Sequence, residues 1–356
     1  MLKKAAYFLL FVFIVPLVSA CIAPQAPASS SSASEGKGNT AETRGSLRMP
    51  HFLARGGAES LDPASPNEFS YANYLLYDRL VALNDKGVLE PELATKWEAN
   101  KDATAWTFTL RKGVKFHDGS AFDSADVAST FAHILDPATK SRAAKTLSLI
   151  TGTETPDPQT IIFHLKPGHA DFPLLLSSRP TAIIPADSGA TIGKTGIGTG
   201  PFKLKTLDPE GTTTFSANDD YWRGAPGLAG IEMPAIADNE ARTLALQAGQ
   251  IDVLLQAGPT AAELFKDSAD YNVLSFPSGT WMGLSMRTDM PPFNDVRVRQ
   301  AIRLVADRQA LVDLILKGAG TVSCDTPVDP SDPYRWNPEG GCPQDIKKAK
   351  ALLTEA

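Results

Sequence analysis

The stretch from Leu83 to Phe131 constrains the fold more than any other part of the chain. Trp106, Phe108 and Leu110 alternate with Thr107 and Thr109, the period of two that sends apolar side chains to one face of a strand and hydroxyls to the other. Lys112-Gly113 breaks the run, Lys115-Phe116 resumes it and Asp118-Gly119 breaks it again, the punctuation of an antiparallel meander. A helix is predicted directly afterwards. Asp123 is placed to cap it, Asp126 falls in the first turn where the dipole favours negative charge, and Val127, Phe131 and Ile134 make an apolar stripe. These residues specify a small sheet with a helix packed on it.

The same segment carries a family pattern. Leu93, Ala94 and Trp97 are followed by Trp106 through Gly119, WTFTLRKGVKFHDG, and then by Phe122, Asp126, Val127 and Phe131. Further on stand GTGPF at Gly198–Phe202, NDDYWRG at Asn218–Gly224, ARTLALQAGQIDVL at Ala241–Leu254 and PFNDVRVRQAI at Pro292–Ile302. In this order the segments resemble the extracellular solute-binding proteins, family 5, which serve ABC importers of oligopeptides, dipeptides, nickel complexes and related solutes. The resemblance implies an α/β, two-lobed periplasmic-binding-protein-like fold (type II, cluster C) with an extra small subdomain.

Met1–Ala20 has two lysines and then an apolar run too short for a comfortable membrane span, the form of an export signal. It ends in Val18-Ser19-Ala20-Cys21, which resembles the lipobox of bacterial lipoproteins, with Cys21 as the lipidated residue; an ordinary secretory signal is the alternative. Two or three acyl chains hold a protein firmly on a membrane, where one does not. Residues 21–45 are rich in Ser, Ala, Pro and Gly without an apolar run, so they read as a tether that buries too little surface to offset the entropy of ordering it. Ser34 and Lys37 have the spacing of an acyl-serine pair, but a catalytic pair needs a rigid shell.

About 310 residues remain, enough for a large two-domain core. Loss of Lys3 and Lys4 takes the formal charge from -6 to -8, and no basic run is interleaved with aromatics, which argues against a nucleic-acid partner. With Cys21 lipidated, Cys324 and Cys342 are left in a segment rich in Pro, Asp and Gly. In an oxidising compartment a disulfide between them is the leading reading and two free thiols the alternative. Their spacing excludes a CxxC metal or redox site.

A strand is expected around Leu47–Leu53 and an aromatic helix from Phe69 to Leu80. In the resembled family the loop between them, here Glu59, Ser60, Leu61, Asp62 and Pro63, faces the cleft between the lobes. Asp62 reads equally well as a turn or cap residue before Pro63. Pro156–Thr160 is expected to turn into a strand over Ile161–Leu165. His164, His169 and His117 lack a nucleophile or carboxylate cluster in the sequence around them and read as structural. SGATIGKT, Ser188–Thr195, falls one residue short of a P-loop because Ser188 occupies the first glycine position. The glycines and Pro201 that follow forbid the long helix a phosphate site needs, so a loop is expected. Asp238 or Asn239 should cap a helix through Gln247, with Leu244, Ala245 and Ala248 on one face and Gly249 as its stop, followed by a strand over Ile251–Leu255. Tyr271–Arg287 reads as two strands around Pro277-Ser278-Gly279, where the resemblance puts the hinge. Trp281 and Met282 lie beside that crossing as candidate ligand contacts, although a strand tryptophan serves a core as readily. Two helices should follow, one carrying Val296, Ile302, Leu304 and Val305 and one over Arg308–Lys317.

The domain expectation is a signal over 1–20, a tether over 21–45, a lobe I main sheet over 46–84 and 198–272, a small subdomain over 85–197, and the first part of lobe II over 273–356. Members of the resembled family continue past Asp345–Ala356, so lobe II is expected to be incomplete here. The acidic residue that pairs with a peptide's amino terminus would then have no counterpart. The function implied is capture of peptides or a related small solute for a membrane permease, without catalysis and without a cofactor. A nickel complex or other non-peptide solute is the alternative ligand. An exported hydrolase is the rival class, which no G-x-S-x-G, H-E-x-x-H or clustered carboxylates support, and a structural or signalling lipoprotein is a third.

Overall fold

The computed structural model describes residues 44–52, 55–276, 279–329, 332 and 334–356. The signal, Cys21, nearly all of the tether, Leu53 and the hinge residues Pro277 and Ser278 lie outside the described residues. In chain order the first elements are β1 (Ser46–Arg48), α1 (Ser70–Leu76), β2 (Val81–Leu83), β3 (Leu89–Pro91), β4 (Ala94–Ala99), β5 (Ala105–Leu110) and α2 (Ser124–Leu135). Then come α3 (Ala144–Leu147), β6 (Ile150–Asp157), β7 (Thr160–Leu165), α4 (Phe172–Leu175), α5 (Ile192–Thr195), β8 (Phe202–Thr206), β9 (Thr212–Ala217) and β10 (Gly230–Pro234). Helices complete the series: α6 (Asn239–Gln247), α7 (Pro259–Phe265), α8 (Val296–Val305), α9 (Arg308–Ile315) and α10 (Ile346–Glu355).

Two four-stranded sheets carry the described chain. One has the order β4-β5-β7-β6 and is antiparallel throughout. Alternation in β5 does what the pattern requires: Trp106, Phe108 and Leu110 are buried while Thr109 faces water. α2 packs on this sheet through Val127, Phe131 and Ile134, all buried. Phe131 meets Phe163 at 4.8 Å between ring centroids and Phe108 meets Phe163 at 5.6 Å, both edge to face, the arrangement ring quadrupoles prefer. The capping box is closed. Asp123 Oδ1 accepts from Ala125 N at 2.7 Å and Asp126 Oδ2 accepts from Asp123 N at 2.8 Å, satisfying donors that the first turn leaves open.

The other sheet has the order β1-β10-β9-β8, with β1 parallel to β10 (Ser46 opposite Gly230) and the rest antiparallel. Its core gathers Leu61, Phe69, Leu76, Ile184, Ile192, Phe202, Phe215 and Met233. Asp78, just beyond α1 and 2% exposed, collects donors from distant chain: Thr199 Oγ1 at 2.7 Å, Tyr221 OH at 2.9 Å and Trp222 Nε1 at 2.9 Å. The guanidiniums of Arg111 and Arg223 lie 4.3 and 4.5 Å from the Trp222 ring centroid. Tyr221 and Trp222 of NDDYWRG thus act as a half-buried brace on Asp78.

Several expectations are corrected. Ile251–Leu255 and Tyr271–Arg287 form no strand among the described residues. A two-residue period marks a side-chain pattern, but a strand needs a run of N–H and C=O groups taken up by a second backbone; among the described residues no such ladder forms here, and Asp252 N makes one bond to Arg48 O at 2.9 Å. SGATIGKT does contain a helix, α5, but it is one turn long and stops at Gly196 in the left-handed region, φ 59°. Leu244 points to solvent, and the buried positions of α6 are Arg242 and Ala245.

Candidate functional site

Beyond β1 the chain stays beside β10: Met49 N donates to Glu232 O and His51 N to Pro234 O, at 2.9 and 3.0 Å. His51 and Phe52 therefore emerge at the carboxyl ends of the one parallel pair in the sheet, the place where open α/β sheets leave a crevice for ligands. α6 begins at the same end. Asp238 caps it, accepting from Ala241 N at 2.8 Å, and Arg242 one turn later donates through Nη1 to Ile236 O (2.7 Å) and Ala237 O (2.9 Å) and through Nη2 to Asn239 Oδ1. Its guanidinium lies 4.2 Å from the Phe52 ring centroid. Burial pushes Arg242 below the usual arginine range.

α1 adds the third side. Tyr71 meets Phe52 edge to face at 5.2 Å, and burial raises its phenol pKa against the opposing pull of Arg179 and Arg242. Arg179 donates to Glu68 Oε1 at 2.8 Å and lies 5.8 Å from the Tyr74 ring centroid. Burial works against the Arg179 charge, but the Glu68 hydrogen bond and carboxylate hold its pKa above the ordinary value. Arg179 Nε and Arg242 Nε are both buried without a hydrogen-bond partner among the described residues. Three rings and two guanidiniums thus gather at one place, with Arg242 buried beneath and the Arg179 side chain 38% exposed.

The predicted site residues fall into two groups. Glu59, Ser60, Leu61 and Asp62 are together, but as an internal brace. Glu59 Oε1 accepts from Arg55 N at 2.9 Å, while its Oε2 is buried without a hydrogen bond among the described residues. Ser60 N donates to Asn67 O and Ser60 O accepts from Phe69 N, at 2.8 and 2.7 Å. The Leu61 side chain is fully buried in the core, so only its backbone faces the loop's surroundings. Asp62 Oδ1 accepts from Ala64 N at 2.8 Å, the turn role, and its Oδ2 meets His133 Nε2 at 2.9 Å. Trp281 and Met282 stand 56% and 72% exposed and share no ring contact or hydrogen bond with that brace among the described residues. Cys324 and Cys342 are joined by a disulfide, Cα–Cα 5.4 Å. Asp325 beside it accepts from Arg303 Nε at 2.8 Å and Arg308 Nη2 at 2.9 Å. Among the described residues no group of three His, Cys, Asp or Glu side chains converges to hold a metal ion, and no helix is long and apolar enough to cross a membrane.

Sequence reasoning missed Phe52, Tyr71, Tyr74, Arg179 and Arg242 as a site. The spacing of Tyr71 and Tyr74, three apart on one helix, was the available signal; nothing local marks Arg179 or Arg242.

Comparison with known proteins agrees with this architecture. The heme-binding protein A of Haemophilus influenzae is 31% identical over 318 residues, covering 81% of this chain and 57% of that protein. The nickel-binding periplasmic protein of Escherichia coli is 31% identical over 303 residues, covering 82% and 57%. The chain therefore spans a little over half the length of these relatives. The oligopeptide-binding protein AppA of Bacillus subtilis, solved with a nonapeptide, superposes with a TM-score of 0.71 at 25% identity, over 88% of this chain and 64% of that one. The fold is the two-lobed α/β fold of such binding proteins. With residues 88–356 matching the profile of the bacterial extracellular solute-binding proteins, family 5, the chain belongs to that family.

Proposed function

We propose that this protein captures peptides or a related small solute between two lobes and passes it to the permease of an ABC importer, without turning it over. The observation that carries this reading is the face built from Phe52, Tyr71, Tyr74, Arg179 and Arg242 at the carboxyl ends of β1 and β10. Rings offer apolar area with little conformational entropy to lose, and the partly exposed Arg179 guanidinium suits a carboxylate. The relatives' ligands, a nonapeptide, heme and nickel, leave the solute open. A nickel complex with carboxylate chelators would present the same groups to the same face.

In this reading residues 46–84 and 198–272 make the main sheet of lobe I, 85–197 its small subdomain, and 273–356 belong to lobe II. The strands of the two sheets fall within those ranges, and the β2–β3 hairpin straddles the first boundary. Glu59 to Asp62 support the cleft from behind, and Trp281 and Met282 approach it from lobe II. Cys21 carries the lipid anchor on the outer face of the cytoplasmic membrane. Closure follows from the solute binding the closed form better than the open one.

Calorimetric titration of the chain with short peptides, glutathione and a nickel–histidine complex tests the reading. We expect saturable binding with no product, weakened about tenfold or more, ~1.4 kcal/mol, when the solute's carboxylate is amidated. The paired change Arg179→Ala with Glu68→Gln, which leaves no buried charge alone, should produce a similar loss. Product formation, or affinity indifferent to both changes, would overturn it.

A further inference from the structure

The loop between β1 and α1 is held from three directions. Tyr77 OH donates to Leu61 O at 2.8 Å, Leu61 N donates to Gly193 O at 2.9 Å, and His133 near the end of α2 meets Asp62 with 2.9 Å between Nε2 and Oδ2. α2 packs on the antiparallel sheet, whereas the loop leads from β1 of the other sheet into α1. This pair of titratable side chains is one of the ties between the two layers, beside Arg223–Glu92 and Arg179–Glu68. His133 and Asp62 are withdrawn from solvent, 18% and 11% exposed.

The surroundings of the ring leave its orientation little choice. Asp62 Oδ1 is already occupied by Ala64 N, so Oδ2 is the oxygen turned to His133. On the other side Nδ1 is 3.2 Å from Thr139 Oγ1, and a Cβ added at Gly189 would stand 2.7 Å from it. A hydroxyl can donate or accept. With Nε2–H directed at Asp62, Thr139 donates to a neutral ring and accepts from a protonated one, so both charge states fit without rearrangement. What changes is the attraction. The charged groups bearing on the ring are Asp62 from the loop and Asp136 from the end of its own helix, and both favour imidazolium; Thr139 and Gly189 are uncharged. The helix end favours a cation as well.

We propose that His133 is a proton-dependent positioning residue: protonated, it draws the 59–63 loop against α2 through Asp62, and neutral, it holds that loop by a hydrogen bond alone. The Asp62 hydrogen bond, opposed by burial, raises the His133 pKa above the ordinary histidine value. A raised folded-state pKa stabilises the protonated form. The extra stability is full below about pH 6.5, the unfolded value, and is lost as pH rises through the folded one. Phe52 precedes the loop and Tyr71 follows it, so on the solute-binding reading above, the recognition face should also be better ordered in acid.

With only five histidines, proton NMR of the whole chain resolves the question without any solute, and His133→Gln assigns the resonance. His133 is expected to titrate above the free-histidine value, and Asp62→Asn should bring it back down. Melting temperatures against pH should show the wild type ahead of His133→Gln by about 2 to 4 °C below pH 6.5, with the lead shrinking towards alkaline pH. A His133 titration at or below the ordinary value, or parallel melting profiles for the two proteins, would overturn the proposal whatever solute the protein takes.

Discussion

At the scale of single residues, Asp78 shows how a buried charge is tolerated without a salt bridge. Its carboxylate accepts from Thr199, Tyr221 and Trp222, and hydrogen bonds to a charged group contribute more than neutral ones. Burial, followed by Asp78 itself, keeps the Tyr221 phenol protonated far above its ordinary range. Asp78→Ala would leave the buried Thr199 hydroxyl and the half-buried Tyr221 and Trp222 donors without their acceptor, which should cost roughly 3 kcal/mol. A fall in the urea midpoint with an unchanged slope is the measurement; an unaltered midpoint would show that water replaces the carboxylate. Tyr221 and Trp222 were legible in the sequence as scaffold, whereas Asp78 was not. Its neighbours Tyr77 and Arg79 give no hint that donors from residues 199, 221 and 222 converge on it.

At the scale of elements, local rules worked for β5 and α2, each of which has one apolar and one polar face, and failed for α6, whose buried side holds Arg242 while Leu244 is exposed. β5 alternates because one side meets α2 and the other meets water, and α2 begins at Asp123 because that side chain can take up a first-turn N–H. The same rule misled over Tyr271–Arg287, where Leu274, Phe276, Met282 and Leu284 fall on a period of two without a partner strand among the described residues and stand exposed. The disulfide acts between elements. Together with Asp325, which bridges Arg303 of α8 and Arg308 of α9, it closes the segment that leads into α10. Removing it with Cys342→Ser should cost about 3 kcal/mol in the chain-entropy account for a loop of this length. Urea unfolding of wild type and variant measures that loss, and equal midpoints would show that the ion pairs hold the segment by themselves.

At the scale of the whole molecule, the reading of an exported, lipid-held binding protein is tested by Cys21→Ser. Lipid attachment needs that thiol, so the variant should stay unprocessed and leave the membrane fraction; unchanged processing and fractionation would remove the anchor from the picture. Family, the meander with the helix packed on it, and the starts of α2 and α6 were determined by the sequence alone, because periodicity, caps and turn residues act over a few positions and are written out consecutively. The face proposed for recognition and the Asp62–His133 joint were decided only by the tertiary structure. Phe52, Tyr71, Arg179 and Arg242 share no spacing, and they meet because β1 pairs in parallel with β10, bringing the start of the described chain beside the turn into α6. Asp62 finds His133 because α2 lies across its own sheet with that end towards the loop. Pairings of this kind depend on which distant surfaces bury each other, a property of the packed chain as a whole that no local window contains.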